Sequence, residues 1–177
     1  MFVINKKKLK LVKPDVRYKK SFLKLTKKAA FSHEKIPWFI KYSLYDFEGI
    51  VEMLNNFEKK FNLKENEVPS TTYFAVFKKH IAGVINIKHE LNQRLKSYGH
   101  IGYFVFKSFR KKGIATKMLS LALIEAKKLN LETVTICIDK SNIASKKVAL
   151  KNNLILSDKF FDTNQKIIIE RYVIDLN

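Results

Sequence analysis

The chain has 177 residues, 46% of them hydrophobic, enough to bury one sizeable core in a single domain spanning residues 1–177. Its net charge of +19 rests on 35 basic residues of which only Arg17, Arg94, Arg110 and Arg171 are arginine; arginine is the residue suited to bidentate phosphate and base-edge recognition, so a dispersed lysine surface disfavours nucleic acid as the partner. No run approaches the roughly 18 uninterrupted apolar residues of a membrane span, the first ten residues lack the apolar core of a secretory leader, and Cys137 is a lone cysteine without a disulfide partner or companion ligand, so the expected setting is cytoplasmic, with no membrane contact and no metal.

In chain order, Lys8 to Val12 alternates charged and apolar residues as a half-buried strand does, and Pro14 with Asp15 closes it and caps a helix. In that helix Tyr18, Phe22, Leu25 and Ala29 share one face, and a second helix carries Phe47, Ile50, Val51, Leu54, Phe57 and Phe61. Between them Ser32 to Tyr45 has no clear period; its Trp38, Tyr42 and Tyr45 are expected to be core plugs, with a substrate wall as the alternative. After Pro69 the texture turns to strands: Thr71 to Phe77, a polar turn at Lys78 to His80, then Ile81 to Ile87 as a hairpin. A further strand runs from His100 to Phe106, and its Gly102 suggests a bulge or a close approach by another group. A helix over Ile114 to Leu129, a strand over Thr133 to Ile138 with Cys137 as a small buried residue, a short helix over Asn142 to Asn152 and two closing strands, Leu154 to Phe160 and Lys166 to Ile174, complete the order. The expected fold class is α/β (α+β), a mixed, mostly antiparallel sheet flanked by helices.

The sharpest local feature is Arg110-Lys111-Lys112-Gly113-Ile114-Ala115, lying between a strand and a helix. A glycine at such a turn lets the backbone approach an anion, and the first amides of a helix, with its dipole, point at that anion. Three adjacent cations add positive potential. The spacing is neither that of a Walker loop nor that of the dinucleotide-binding glycine turn.

This stretch resembles motif A of the GNAT acetyltransferases, with Val105, Arg110, Gly113 and Ala115 at the patterned places. Downstream, Asn142 to Leu154 resembles motif B, in the variant found in Rim-type ribosomal-protein N-terminal acetyltransferases. Val68 to Phe74, Gly83 to Ile87, Gly99 to Tyr103 and Arg171 to Leu176 are similar to an uncharacterised bacterial branch of GNAT acetyltransferases, extending the likeness over almost the whole chain. The resemblance implies an acyltransferase that moves an acetyl group from acetyl-CoA to a primary amine, on a protein, a peptide or a small molecule. It implies that acetyl-CoA lies in a cleft between two splayed parallel strands, with Tyr103, Phe104 and Val105 pairing with its pantetheine arm. Arg110, Lys111, Lys112, Gly113, Ile114 and Ala115 would hold its pyrophosphate, and Asn142 and Ser145 would contact it from the short helix. For Asn142 plain helix capping is the alternative.

The chain departs from the resemblance at Ala149, where many relatives keep a tyrosine that protonates the departing thiolate, and at Asn153, where glycine is usual; asparagine tolerates the left-handed region at modest cost. The attacking amine must be neutral and the tetrahedral oxyanion needs a donor. His100, at the head of its strand, and Tyr103 are the candidate catalytic residues. His33, His80 and His89 lack metal-ligand spacing and are read as surface residues. A non-catalytic acyl-CoA-binding regulator, a lysine-rich nucleic-acid-binding domain and a homodimer stay open as alternatives or additions.

Overall fold

The computed structural model describes residues 9–61 and 63–177; the leader reading of the first ten residues and Lys8 of the first strand fall largely or wholly outside them. Strand β1 (Leu9–Val12) leads through a 3₁₀ turn at Val16–Tyr18, where the Asp15 carboxylate accepts from the Arg17 amide, into α1 (Lys19–Phe31). Helices α2 (Trp38–Tyr42) and α3 (Phe47–Glu58) follow, the latter capped by Asp46 on the Gly49 amide. Then come β2 (Ser70–Phe77), β3 (His80–Lys88), β4 (Ile101–Val105), α4 (Ile114–Lys128), β5 (Thr133–Asp139), α5 (Ile143–Leu150), β6 (Ile155–Asp162) and β7 (Ile167–Asp175).

The strands form two antiparallel sheets, one ordered β1-β2-β3-β4 and the other β5-β7-β6. Side chains alternate across the first sheet, as the pleat requires. Ile85, Ile87, Ile101 and Val105 face α4, where Met118, Leu119, Ala122 and Ala126 are sealed against them and against Val134, Ile136 and Ile138 of β5. Phe74, Val76, Val84 and Phe106 face the other way and pack with Phe22, Ile40, Phe47 and Ile50 of α1, α2 and α3. Phe22 is fully buried between Phe47, Phe74 and Phe106, its ring 5.0–5.9 Å from theirs, within the range of favourable aromatic packing.

The two sheets meet at the heads of β4 and β5. Gly99 bridges Ile136, the His100 amide donates to the Thr135 carbonyl at 2.7 Å, and His100 Nδ1 accepts from the Thr135 amide at 3.0 Å. Beyond that point, among the described residues, no ladder joins β4 to β5. Both lead to the same end of the molecule, because α4 carries the chain back between them, and there Val105 and Asn142 line one cleft. Gly99 has φ +75°, and a Cβ there would stand 2.6 Å from the Thr135 carbonyl oxygen, so no other residue permits the junction.

Some expectations change. Trp38, Tyr42 and Tyr45 are not core plugs: they are 65%, 53% and 83% exposed, since α2 is one turn long and turns Ile40, with part of Phe39, inward. Helix α3 stops at Glu58, leaving Phe61 exposed. Gly102 marks no bulge; β3 and β4 stay in register past it, a Cβ there would meet nothing within 4 Å, and the sheet's irregularities sit at Ala75/Val76 and Leu156/Asp158. Cys137 is half-buried, and His89 is held at 2.8 Å from the Thr71 hydroxyl rather than standing free at the surface. Among the described residues no helix is long and apolar enough to cross a membrane.

Phe22→Ala should lower unfolding free energy by about 3–5 kcal/mol, read from the urea midpoint, because its three ring neighbours cannot collapse into the space. A loss below about 1 kcal/mol would mean the aromatic cluster is not the core of that layer.

Candidate active site

A cleft of about 580 Å³ opens where β4 and β5 part. One wall is Tyr103, Phe104 and Val105 of β4; the floor is the turn from Phe109 to the first residues of α4; the other wall is α5. Val105 ends the strand, a 3₁₀ turn at Lys107–Phe109 follows, and Lys111 and Gly113 then take φ +58° and +72°. Alternation into the left-handed region turns successive amides toward one side, which makes an anion-binding concavity. Gly113 bears this conformation without penalty, whereas Lys111 pays for it, a cost tolerated at sites that need the geometry.

Among the described residues, the amides of Lys111, Lys112, Gly113, Ile114, Ala115 and Thr116 have no acceptor within the protein; the next hydrogen bond of the series is Lys117 to the Gly113 carbonyl at 3.1 Å. Six consecutive free donors at the head of a 15-residue helix form a strong positive site. The Arg110 amide is different, being bonded to the Lys107 carbonyl.

The charged side chains divide their tasks in a way the sequence does not disclose. Arg110 borders the cleft, but its Nε donates to the Val105 carbonyl at 2.8 Å, its guanidinium pairs with Glu34 at 2.5 Å and it lies 5.4 Å from the centre of the Phe104 ring. It braces the end of β4 against the segment after α1. Lys112 does not line the cleft; its ammonium bonds the Ser108 carbonyl at 2.7 Å. Among the described residues, the cations that line the cleft without an ion-pair partner are Lys111, Lys147 and Lys151. The last two were missed, although Ala144, Lys147, Val148 and Lys151 repeat at helical spacing and so share one face of the α5 segment.

Asn142 spends its side-chain oxygen on the Ser145 amide at 3.0 Å, the capping arrangement, and still borders the cleft. Ser145 faces Tyr103 across it. The Tyr103 hydroxyl is buried without a full hydrogen bond; burial pushes its pKa up, and the nearby Ser145 side chain offsets this only in part. His100 lies outside the cleft lining, at the joint between the sheets. Its pKa is drawn down by burial and then by Lys88, which favours the neutral ring, and its Nδ1 accepts from the Thr135 amide.

Helix α5 is anchored from below. Lys146 donates to Glu170 of β7 at 2.9 Å, Lys159 reaches the other oxygen at 3.2 Å and the Tyr172 hydroxyl adds 3.0 Å. Glu170 is 2% exposed, and the Lys146 contact first, then Lys159 and Tyr172, hold its carboxyl at about 2 against the opposing cost of desolvation. Asn153, after the helix, takes φ +63°, the left-handed conformation asparagine accepts.

A sheet split over a returning helix whose head presents free amides defines an α/β protein with a cleft at that junction. Residues 11–154 match the family described as Acetyltransferase (GNAT) domain, and the chain belongs to that family of acyltransferases. Solved structures share the fold. One is the microcin C7 self immunity acetyltransferase MccE in complex with acetyl-CoA and AMP, with a TM-score of 0.72 and 19% identity over 95% of this chain and 92% of that one. A second is RimL, a ribosomal L7/L12 alpha-N-protein acetyltransferase in complex with coenzyme A, with a TM-score of 0.71 and 19% identity over 95% and 94% of the two chains. A third is Mycobacterium smegmatis RimJ in complex with CoA-disulfide, with a TM-score of 0.73 and 14% identity over 94% and 81%. No curated protein matches the sequence significantly.

The Glu170 anchor has a pH signature. Above the ordinary carboxylate value of 4.5 the group is ionised folded and unfolded, and its contribution is complete; from there down to about 2 only the unfolded chain takes up the proton, so stability falls as pH drops through that window. Glu170→Gln should be less stable at neutral pH and should show a shallower fall of Tm with acidification than wild type. Parallel Tm profiles would show that the anchor does not carry this linkage.

Proposed function

We infer that the protein is an N-acetyltransferase using acetyl-CoA as donor and a primary amine of a protein, peptide or small molecule as acceptor. The observation that carries the reading is the run of amides from Lys111 to Thr116 that have no acceptor among the described residues, beside a cleft bordered by Lys111, Lys147 and Lys151. These groups fit a diphosphate: the amides supply directed donors, and Lys111, Lys147 and Lys151 supply charge. Two solved structures of similar fold are described with coenzyme A or acetyl-CoA, which supports the same ligand here. In this reading β4 from Tyr103 to Val105 runs beside the pantetheine arm, Gly113, Ile114 and Ala115 hold the pyrophosphate through main-chain groups, and Asn142 and Ser145 shape the wall from α5. Arg110 and Lys112 act through their place in the turn rather than through their cationic ends.

Acetyl-CoA brings the activated acyl group, so the protein's task is to position, to exclude water and to manage protons. Tyr103 suits the donor role. Its raised pKa keeps the phenol protonated at neutral pH, and its hydroxyl, buried beside the Ser145 side chain in a residue that lines the cleft, has a proton to donate to a developing negative charge or to a leaving thiolate. This supplies at β4 what Ala149 does not supply at α5. The same raised pKa argues against Tyr103 as a base. His100 keeps the two strands at their separation and is a positioning residue. We extend the reading to a cytoplasmic enzyme, and the edge strand β6, with Ile155, Leu156 and Phe161 exposed, supports pairing with a second copy.

Isothermal titration with acetyl-CoA tests the assignment. Gly113→Trp, placing an indole where only a left-handed glycine fits, should weaken binding at least about tenfold at a strain cost of about 1–3 kcal/mol; equal affinity in a variant that melts as a folded protein would remove the turn from the binding site. Tyr103→Phe should bind acetyl-CoA as wild type does and lose on the order of 100-fold in kcat on any amine that wild type turns over. An unchanged kcat would take Tyr103 out of the chemistry.

A further inference from the structure

The face of the first sheet turned away from α4 is apolar where α1, α2 and α3 cover it, then changes character toward the heads of the strands. There Ser70 pairs with Lys88 and Thr72 with Asn86 across β2 and β3, and Asn86 pairs with Gly102 across β3 and β4. Partners directly opposite in an antiparallel ladder share a face. The Asn86 amide is held by the Thr72 hydroxyl at 3.0 Å, and the Lys88 amide donates to the His100 carbonyl at 2.8 Å. Gly102 leaves the space over this strip open, with nothing within 4 Å of where a Cβ would be.

Lys88 is the anomaly in it. Its ammonium is half-buried and bonded at 3.2 Å to the Gly99 carbonyl, and among the described residues no carboxylate pairs with it. Its ionisable neighbours supply no countercharge. Burial pushes the Cys137 thiol up, so it stays protonated, and His100 is neutral. Asp158, the nearest acid to Cys137, is engaged by Arg171. Burying a cation without an anion is costly, and burial accordingly lowers the Lys88 pKa.

We propose that Lys88 is the acceptor-recognition residue, and that it selects amine acceptors carrying a carboxylate, which enter over Gly102 from the side opposite α4. One cation flanked by uncharged polar groups suits a singly charged carboxylate; a phosphate, with about two charges, calls for further cations or an arginine fork. Lys88 is level with His100, three residues and so about 10 Å along β4 from Tyr103. That span fits an amino-acid or short-peptide amine whose carboxylate lies a residue or so from the nitrogen. The proposal rests on acetyl-CoA occupying the cleft described above.

The test is titration of acetylated products into protein saturated with coenzyme A, which needs no turnover. The probes are N-acetyl-glycyl-glutamate and its uncharged diamide. Wild type should bind the acid at least about tenfold tighter, close to 1.4 kcal/mol. Lys88→Met should erase the preference while keeping affinity for the diamide, and Lys88→Arg should restore it. Equal affinities in wild type, or a preference surviving in a folded Lys88→Met, would overturn the proposal; inorganic phosphate displacing the acid more strongly than acetate would reassign Lys88 to phosphorylated acceptors and overturn it as well. Failure of coenzyme A to bind wild type would instead defeat the acetyltransferase reading, a separate outcome of the same titration series.

Discussion

One contact governs the architecture: the two hydrogen bonds between His100 and Thr135, one main chain to main chain and one onto the imidazole, made at a point where Gly99 has no side chain to hold the strands apart. It joins two sheets that otherwise pair only within themselves, and it does so at one end. Because α4 fills the angle between β4 and β5 with Met118, Leu119 and Ala122, the strands cannot zip together beyond that joint. The cleft is therefore a consequence of packing rather than of a missing element. Strand edges inside a protein must find partners, and an opening of this kind leaves β4 main-chain groups facing a space that a linear ligand can fill.

The electrostatics follow the same economy. With a large excess of lysine, charge alone marks no site, and direction is what distinguishes one. Lys111 and Gly113 are left-handed in the turn that leads into α4, and among the described residues no protein acceptor competes for the six amides from Lys111 to Thr116. Arg110, the cation that a reading by residue type favours most, is engaged with Val105 and Glu34 and stiffens the cradle from behind. The Glu170 contacts with Lys146 and Lys159 do the equivalent for α5, tying the opposite wall to the second sheet through a buried carboxylate. Such a buried ion pair adds little net stability over an apolar contact, but it does set where the helix sits.

The two faces of the central strands thus carry different chemistry. Toward α4 lie the turn with the free amides and the Tyr103 phenol, whose proton burial retains. Away from α4 lies a polar strip with an unpaired lysine and open space above Gly102. A transfer reaction needs donor and acceptor to approach one point from separate directions, and a sheet parted at its middle provides for that without a mobile domain.

Much of this was legible in the linear pattern. The order of elements followed from alternation and helical periodicity, since burial of an apolar face imposes a period that neighbours along the chain must share. The turn at Arg110 to Ala115 was visible because glycine and helix starts are local properties. What pattern could not reach was anything set by residues distant in sequence. Trp38, Tyr42 and Tyr45 are aromatic enough for a core, yet the single-turn helix turned Ile40 and part of Phe39 inward instead. His100 has the chemistry of a base, but Thr135, 35 residues away, claims its nitrogen. Arg110 is committed by Glu34, 76 residues earlier, and Lys88 stands out only once its ammonium is seen on the Gly99 carbonyl with no carboxylate paired to it among the described residues. Local spacing settles which segments become helix or strand, because those hydrogen bonds close within a few residues. Which side chains remain free to meet a ligand is settled by partners that only folding brings near.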